Sequence, residues 1–292
     1  MNFLETAKIV NAQNNIVSLY YLDYELENDY DSNTGFPSIN LKHKQRVVKL
    51  ETFKISAKIN NSMSNDLHQL YGLNAENMTK DLLENEYTLE KNKKLYEKYY
   101  ELSEKSRINE LTKWQRFIKK IIPSVEFVKY FKKESKEGSE SLCKQILFSS
   151  RKIAANSRMG EASFLVCSPS LSAYITESSL FTFDKMSERS GPNNYNIYTI
   201  GKIANIRVFI NPYLSINNNN IILGRSTKEN ENGVFLVEKR GGSQTVIPDL
   251  ESNTIIKLEL MTIVETDSAY KSFYNLKTSF DKKPFWKKIL FI

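Results

Sequence analysis

The sequence predicts an α+β protein with a long two-stranded excursion, one unusually long helix and a compact α/β lobe. Three observations carry this. Phe53, Ile55, Ala57 and Ile59 alternate with Lys54, Ser56 and Lys58, the period of a strand with one face covered and the other in water. The stretch from Ala75 to about Lys105 has the cap, apolar stripe and charge layout of a single helix. After Gly138 helical and strand patterns alternate, and from Ile197 onward strands dominate.

With 292 residues, of which 40% are hydrophobic and 12% aromatic, the chain can bury a sizeable core in one or two domains. It carries 41 Lys and Arg against 34 Asp and Glu, a formal charge of +7 that suits polyanionic surroundings such as packaged nucleic acid. Lys, Asn, Ile and Tyr are all abundant, so an A+T-rich gene would produce the same basicity with no binding role. Residues 1–15 mix Asn2, Glu5 and Lys8 with apolar residues and do not read as a signal peptide. No stretch approaches the roughly 20 apolar residues needed to cross a bilayer. Cys143 and Cys167 are too far apart for a C-x-x-C pair or a metal spacing, and both are expected to be reduced and intracellular.

The elements follow in order. Leu19 to Leu26 reads as extended, and so does Arg46 to Ile59, with Gly35 and Pro37 as breakers in the polar stretch between them. An isolated hairpin is marginal in water, so Tyr20, Tyr21 and Tyr24 need another surface to lie on. A short helix is expected from about Ser64 to Tyr71, closed by Gly72 in a left-handed cap. Asn74 can cap the next helix, Leu73 can staple onto Met78, and the expected stripe is Met78, Leu82, Leu89, Tyr96 and Tyr99 or Tyr100. From Ala75 to Lys105 this helix would be roughly 45 Å long at ~1.5 Å per residue, longer than an ordinary domain helix.

Residues 106–138 interleave Lys113, Arg116, Lys119, Lys120, Lys129, Lys132, Lys133 and Lys136 with Trp114, Phe117, Phe127, Tyr130 and Phe131. That pattern fits a nucleic-acid surface, and it equally fits a solvated helix face beside an apolar one, with Pro123 dividing two helices. Beyond it come a helix through Leu142, Ile146 and Ile153 ending near Gly160, a strand at Phe164 to Cys167, and a helix opened by Ser168 and Pro169. Strands are expected at Ile206 to Ile210, Ile221 to Leu223, Val234 to Val237 and Ile255 to Val264, and residues 281–292 form a basic, apolar tail.

Catalytic groups are sparse. His43 lies among Lys42, Lys44 and Arg46, and His68 sits on the short helix, so both read as surface or packing residues. No zinc-protease, nucleophile-elbow, Walker A or dinucleotide motif occurs. Ser149 to Lys152 fits S-x-x-K formally, but it lies inside an amphipathic helix and lacks the partner motifs. Gly241 and Gly242 suit a tight turn between strands better than an anion nest. No catalytic residue, cofactor or metal site is expected.

Two segments resemble the major capsid proteins of T4-like tailed phages. The first runs through Ser64-Asn65-Asp66-Leu67, Tyr71-Gly72-Leu73-Asn74-Ala75-Glu76 and on to Leu82, Leu83, Glu86, Glu90 and Asn92. The second is Arg158-Met159-Gly160-Glu161-Ala162-Ser163-Phe164-Leu165-Val166, followed by Ser168-Pro169. Downstream, Ile210-Asn211-Pro212-Tyr213, Leu223-Gly224 and Gly233-Val234-Phe235 look like further steps of the same family. The chain departs from the family in lacking its larger insertion at residues 106–138, and the usual ending is seen only in outline at Asp267 to Phe280.

The resemblance implies an HK97-like capsid fold and a structural, non-enzymatic role in the virion, assembled in the host cytoplasm. It implies an N-terminal arm (1–18), an extended hairpin loop (19–60), a peripheral domain with the spine helix (61–138) and an α/β axial domain (139–210). Residues 211–280 would supply the remaining axial and peripheral strands, and 281–292 the tail. The subunit would form hexamers and pentamers with itself, with portal, vertex, scaffold or decoration proteins as further partners, packaged DNA nearby and no membrane. Candidate subunit contacts are Tyr20, Tyr21, Tyr24, Arg46, Tyr96 and Tyr100. Candidates for contact with DNA or neighbours are Lys119, Lys120, Lys132, Lys133, Lys287 and Lys288. Rival readings are a pentameric vertex subunit of the same fold, a nucleic-acid-binding protein built on residues 106–138, and a peripheral membrane protein using Trp286 to Phe291.

Overall fold

A computed structural model describes residues 2–30, 37–121, 129–131, 136–184, 196–228, 231, 233–239, 243–249 and 251–279. In chain order the elements are a 3-10 turn (Phe3–Thr6), β1 (Lys8–Ala12), β2 (Ile16–Tyr30), β3 (Pro37–Lys49), β4 (Glu51–Asn60), α1 (Asn61–Tyr71), α2 (Ala75–Glu110) and α3 (Lys113–Ile121). They continue with β5 (Lys129–Tyr130), α4 (Lys136–Ser157), β6 (Phe164–Cys167), α5 (Pro169–Thr176), β7 (Phe181–Phe183), β8 (Tyr198–Ile203) and β9 (Ile206–Ile210). The last are β10 (Asn220–Gly224), β11 (Val234–Lys239), β12 (Ser243–Pro248), β13 (Ser252–Glu265) and β14 (Phe273–Ser279). The chain folds as two compact units: one takes 1–6, 95–226 and 269–292, the other 7–94 and 227–268.

The first unit is built on a seven-stranded mixed sheet of order β5-β14-β10-β6-β9-β8-β7. Its central strand β6 is Phe-Leu-Val-Cys, apolar at every position because both faces are covered. On one face Leu165, Cys167, Val208, Ile221 and Leu223 meet Leu142, Ile146 and Ile153 of α4, which recur at helical spacing. On the other, Phe164, Phe209 and Phe273 gather with Tyr99 of α2 and Phe3 of the 3-10 turn, the rings lying 4.8 to 6.4 Å apart. Tyr99 is fully buried, and its hydroxyl shares a 2.8 Å hydrogen bond with Thr6 Oγ1, which satisfies the one polar atom in the cluster. Gly224 of β10 makes room for this packing, since a Cβ there would lie 2.4 Å from Phe164 Cζ and 2.8 Å from a Phe273 ring carbon.

Further along α2, the carboxylate of Glu104 accepts from Arg107 Nε at 3.2 Å and NH2 at 2.8 Å and from Asn275 Nδ2, with Lys277 Nζ 3.7 Å away. Burial pushes the Glu104 carboxyl up, but Arg107, Lys277 and Asn275 together hold it below its usual range.

In the second unit the 14-residue strand β13 is the spine of a five-stranded sheet. β4 runs along one edge and β11 then β12 run one after the other along the opposite edge, all antiparallel to β13, with β1 added parallel to β11. β11 and β12 point the same way along β13, and the tight turn expected at Gly241 and Gly242 falls on residues outside those described. The predicted alternation in β4 holds: Lys54, Ser56 and Lys58 are exposed, while Ile55, Ala57 and Ile59 pack with Leu67, Ala75, Leu83 and Ile255. The expected continuous strand from Arg46 to Ile59 is broken at Leu50. Val48 and Leu50 bury even positions and Phe53 to Ile59 odd ones, and this change of parity is where β3, paired with β2, gives way to β4, paired with β13.

Caps fix the helices that follow. Asn60 Oδ1 accepts from Ser62 N at 2.9 Å, so α1 starts three residues before the expected Ser64. Gly72, at φ 64°, closes it by donating to His68 O, as expected. Asn74 Oδ1 accepts from Asn77 N at 3.1 Å and opens α2, which then runs 36 residues, about 54 Å at ~1.5 Å per residue. The stripe it buries is Leu83, Tyr87, Leu95, Tyr99 and Leu102, whereas the expected members Met78 and Leu82 are exposed, and so is Leu73 of the expected staple. The face toward the second sheet is also fastened by charge: Lys91 to Glu238 at 3.0 Å and the buried Lys257 to Glu84 at 2.9 Å, both cations lying over the Tyr87 ring.

Gly224→Ala is expected to cost about 1–3 kcal/mol in urea unfolding by driving a methyl group into the Phe164 and Phe273 rings. Glu104 has a folded pKa below its unfolded value, so its contribution is present above that unfolded value and is lost as the pH falls through 4.5 and below. Glu104→Gln should therefore lower stability at neutral pH and flatten the acid limb of the stability profile.

Candidate assembly surfaces

Among the described residues the hairpin β2–β3 is a two-stranded sheet of its own, joined to the rest of the backbone by a single parallel bridge from Leu22 to Glu231, and its faces differ. Directly opposed residues of an antiparallel pair share a face, which places Leu19, Tyr21 and Val48 inward and Ile16, Tyr20 and Val47 outward. The inward set joins Leu50, Phe235, Val237 and Val264 in a core within the second unit. Past this core the inward face turns polar: Lys44 Nζ donates to Asp23 at 2.7 Å and Asp267 at 3.2 Å, Ser268 Oγ donates to Asp23 at 2.5 Å, and Arg46 donates to the Glu265 carbonyl. The Asp23 hydrogen bond holds the Lys44 ammonium well above its usual range. The outward face leaves Ile16, Tyr20 and Val47 exposed, with His43 stacked on Tyr20 at 5.5 Å.

Among the expected contact residues, Tyr20 is 52% exposed and Tyr21 3%. One step along the strand thus separates a side chain open to a partner from one already enclosed by its own subunit, where Tyr21 finds the surface expected of it. Arg46 is exposed but tied to the Glu265 carbonyl. Tyr24 lies in β2 with its side chain outside those described. Tyr96 and Tyr100 are half-buried on α2 in the first unit, and burial, then Tyr100 and Cys167, push the Tyr96 hydroxyl up. Lys119 and Lys120 are in the last turn of α3, half-buried and exposed respectively. Lys132, Lys133, Lys287 and Lys288, and the tail 281–292, lie outside the described residues.

Two further apolar surfaces are exposed. One is the corner of α1 and α2, with Met63, Leu70, Tyr71, Leu73, Met78 and Leu82; the other is α3, with Trp114, Phe117 and Ile121. Helical spacing announces both stripes, but not which of a helix's stripes its own subunit leaves open.

Cys143 and Cys167 are free and buried, and burial pushes the Cys167 thiol up to about 12. Ser149 is buried inside α4, Lys152 is paired with Glu110 at 2.9 Å, and His43 and His68 are exposed. No helix among the described residues is long and apolar enough to cross a membrane.

The family model described as "Major capsid protein Gp23" matches residues 4–236. The chain belongs to this family. It is a phage shell protein of the virion, and the fold and role implied by the segments around Lys54 to Tyr100 and Arg158 to Val166 are those of its family. Solved capsid structures carry the same HK97-like fold. A chain from Microbacterium phage Oxtober96 is 9% identical with a TM-score of 0.51, covering 95% of this chain and 90% of that one. The capsid of Myoviridae phage XM1 gives 8%, 0.50, 94% and 90%, and that of cyanophage P-SCSP1u gives 6%, 0.50, 95% and 88%. No curated protein matches the sequence.

The parity of the hairpin separates folding from assembly. Tyr21→Ala is expected to destabilise the isolated subunit by about 3 kcal/mol in urea, whereas Tyr20→Ala should stay within about 0.5 kcal/mol of the parent.

Proposed function

We propose that this Gp23-family subunit closes into six- and five-membered rings by head-to-tail contacts, and that the rings tile an icosahedral head around the genome of a tailed double-stranded DNA phage. The observation that carries this reading is the β2–β3 hairpin: 15- and 13-residue strands that form a two-stranded sheet among the described residues, with an exposed outward face of Ile16, Tyr20 and Val47. Its inward face already packs on the subunit's own core, and a neighbouring subunit supplies the cover that its apolar outward face lacks. In this reading residues 19–60 are the extended loop, α2 is the spine helix, the unit containing β13 serves as the peripheral domain and the unit containing β6 as the axial domain. The activity is assembly, with burial between subunits in place of a catalytic pocket. The buried cysteines and the enclosed Ser149 are consistent with that reading. The +7 charge and the lysine-rich tail suit a shell that encloses DNA.

Purified protein incubated under assembly conditions and imaged by negative stain should form rings, tubes or shells. A chain that stays monomeric under every condition, and is absent from virion particles, contradicts the proposal.

A further inference from the structure

Helix α3 is well made yet turns most of its apolar face to solvent. Thr112 and Gln115 cap it reciprocally, with Gln115 N donating to Thr112 Oγ1 at 3.2 Å and Thr112 N to Gln115 Oε1 at 3.1 Å. Ile118 is buried, and Arg116 donates to the carbonyls of Leu111 and Asn109 at the end of α2, at 3.0 and 2.5 Å. These anchors leave Trp114, Phe117 and Ile121, spaced three and four apart on one stripe, 63%, 60% and 61% exposed. Exposed aromatic stripes of this kind mark a partner surface. The helix carries four cations, Lys113, Arg116, Lys119 and Lys120, and no acid.

The chemistry of the partner follows. Duplex DNA would take the cations and gain little from Trp114, Phe117 and Ile121. The tail 281–292 is apolar, but it brings four lysines and one aspartate, so it adds like charge. What fits is an apolar surface rimmed by carboxylates, and the α1–α2 corner is one. Met63, Leu70, Leu73, Met78 and Leu82 are exposed there, and no residue of α1 is buried. Asp66 flanks the stripe on α1, and Asp81 and Glu86 flank it on α2, in a segment (61–86) with five acidic residues against Lys80.

We infer that α3 of one subunit docks on the α1–α2 corner of another copy, apolar stripe on apolar stripe and lysines on carboxylates. The contact joins two different surfaces, so each subunit keeps one of each open for a further copy, as rings and lattices require. The inference rests on the assembly reading and names one of its contacts.

Disulfide trapping tests it, with little background because Cys143 and Cys167 are buried. Shells of the Phe117→Cys, Leu82→Cys double variant, oxidised and run without reductant, should give a ladder of covalent oligomers beyond the dimer. Each single variant should give none, and mixed shells of the two singles should stop at the dimer. Normal shells without a ladder, a Phe117→Cys single variant that crosslinks to itself, or crosslinks to a different protein would each overturn the inference. A second pair of variants covers failure of the cysteine chain to assemble. Lys113→Glu with Lys120→Glu should cut shell yield about tenfold at low salt, and adding Asp81→Lys with Glu86→Lys should restore it. Undiminished yield, or no recovery, refutes the docking. Failure of the parent chain to form shells at all sinks the assembly reading instead.

Discussion

Helix α2 contributes its first part to one unit and its last part to the other, and in the latter Tyr99 is where its packing is tightest. Its ring is enclosed by Phe3, Phe164 and Phe273, and its hydroxyl is satisfied only because Thr6 reaches it. The arrangement propagates outward: β10 needs glycine at 224, and Phe3 has to be threaded beneath the same rings. Along the first half of the helix the demand is different. There Leu83 and Tyr87 meet a sheet whose inner face carries Lys257 and Glu238, so the helix contributes Glu84 and Lys91 as well as apolar atoms. Buried ion pairs add little net stability, but they fix which residues face each other.

The hairpin is the second consequence of a single strand-level rule. Because side chains alternate, the residues that fasten β2 and β3 to their own sheet commit the other half to solvent. Tyr21, Leu19 and Val48 close a core, and Ile16, Tyr20 and Val47 are left over. A globular protein working alone gains nothing from that remainder. In the proposed shell that remainder is the surface the next subunit covers.

Much of this was legible in the residues and some was not. Caps read well, because Asn74, Gly72 and Ser168 act through short local hydrogen bonds that tertiary structure rarely overrides. The break between β3 and β4 was missed, since Arg46 to Ile59 was read as one strand although the apolar positions shift from even to odd after Leu50. The buried stripe of α2 was misread because Lys91 interrupts it, lying over Tyr87 where an apolar residue would continue the pattern, while Met78 and Leu82 mimic a stripe on the open side. The short strands β1, β7 and β12 gave no periodic signal of their own and exist through pairing with β11, β8 and β13. At the surface, the sequence offered tyrosines as contact residues without saying which of Tyr20 and Tyr21 the subunit keeps for itself.

The central claim is that the outward face of the hairpin is covered by a neighbour in the assembled shell. Oxidative footprinting of free subunit and intact particle reads this directly, residue by residue. The account predicts that Tyr20 and Val47 are labelled in the free subunit and protected in particles, with Tyr21 protected in both. Equal labelling of Tyr20 in the two states would contradict it.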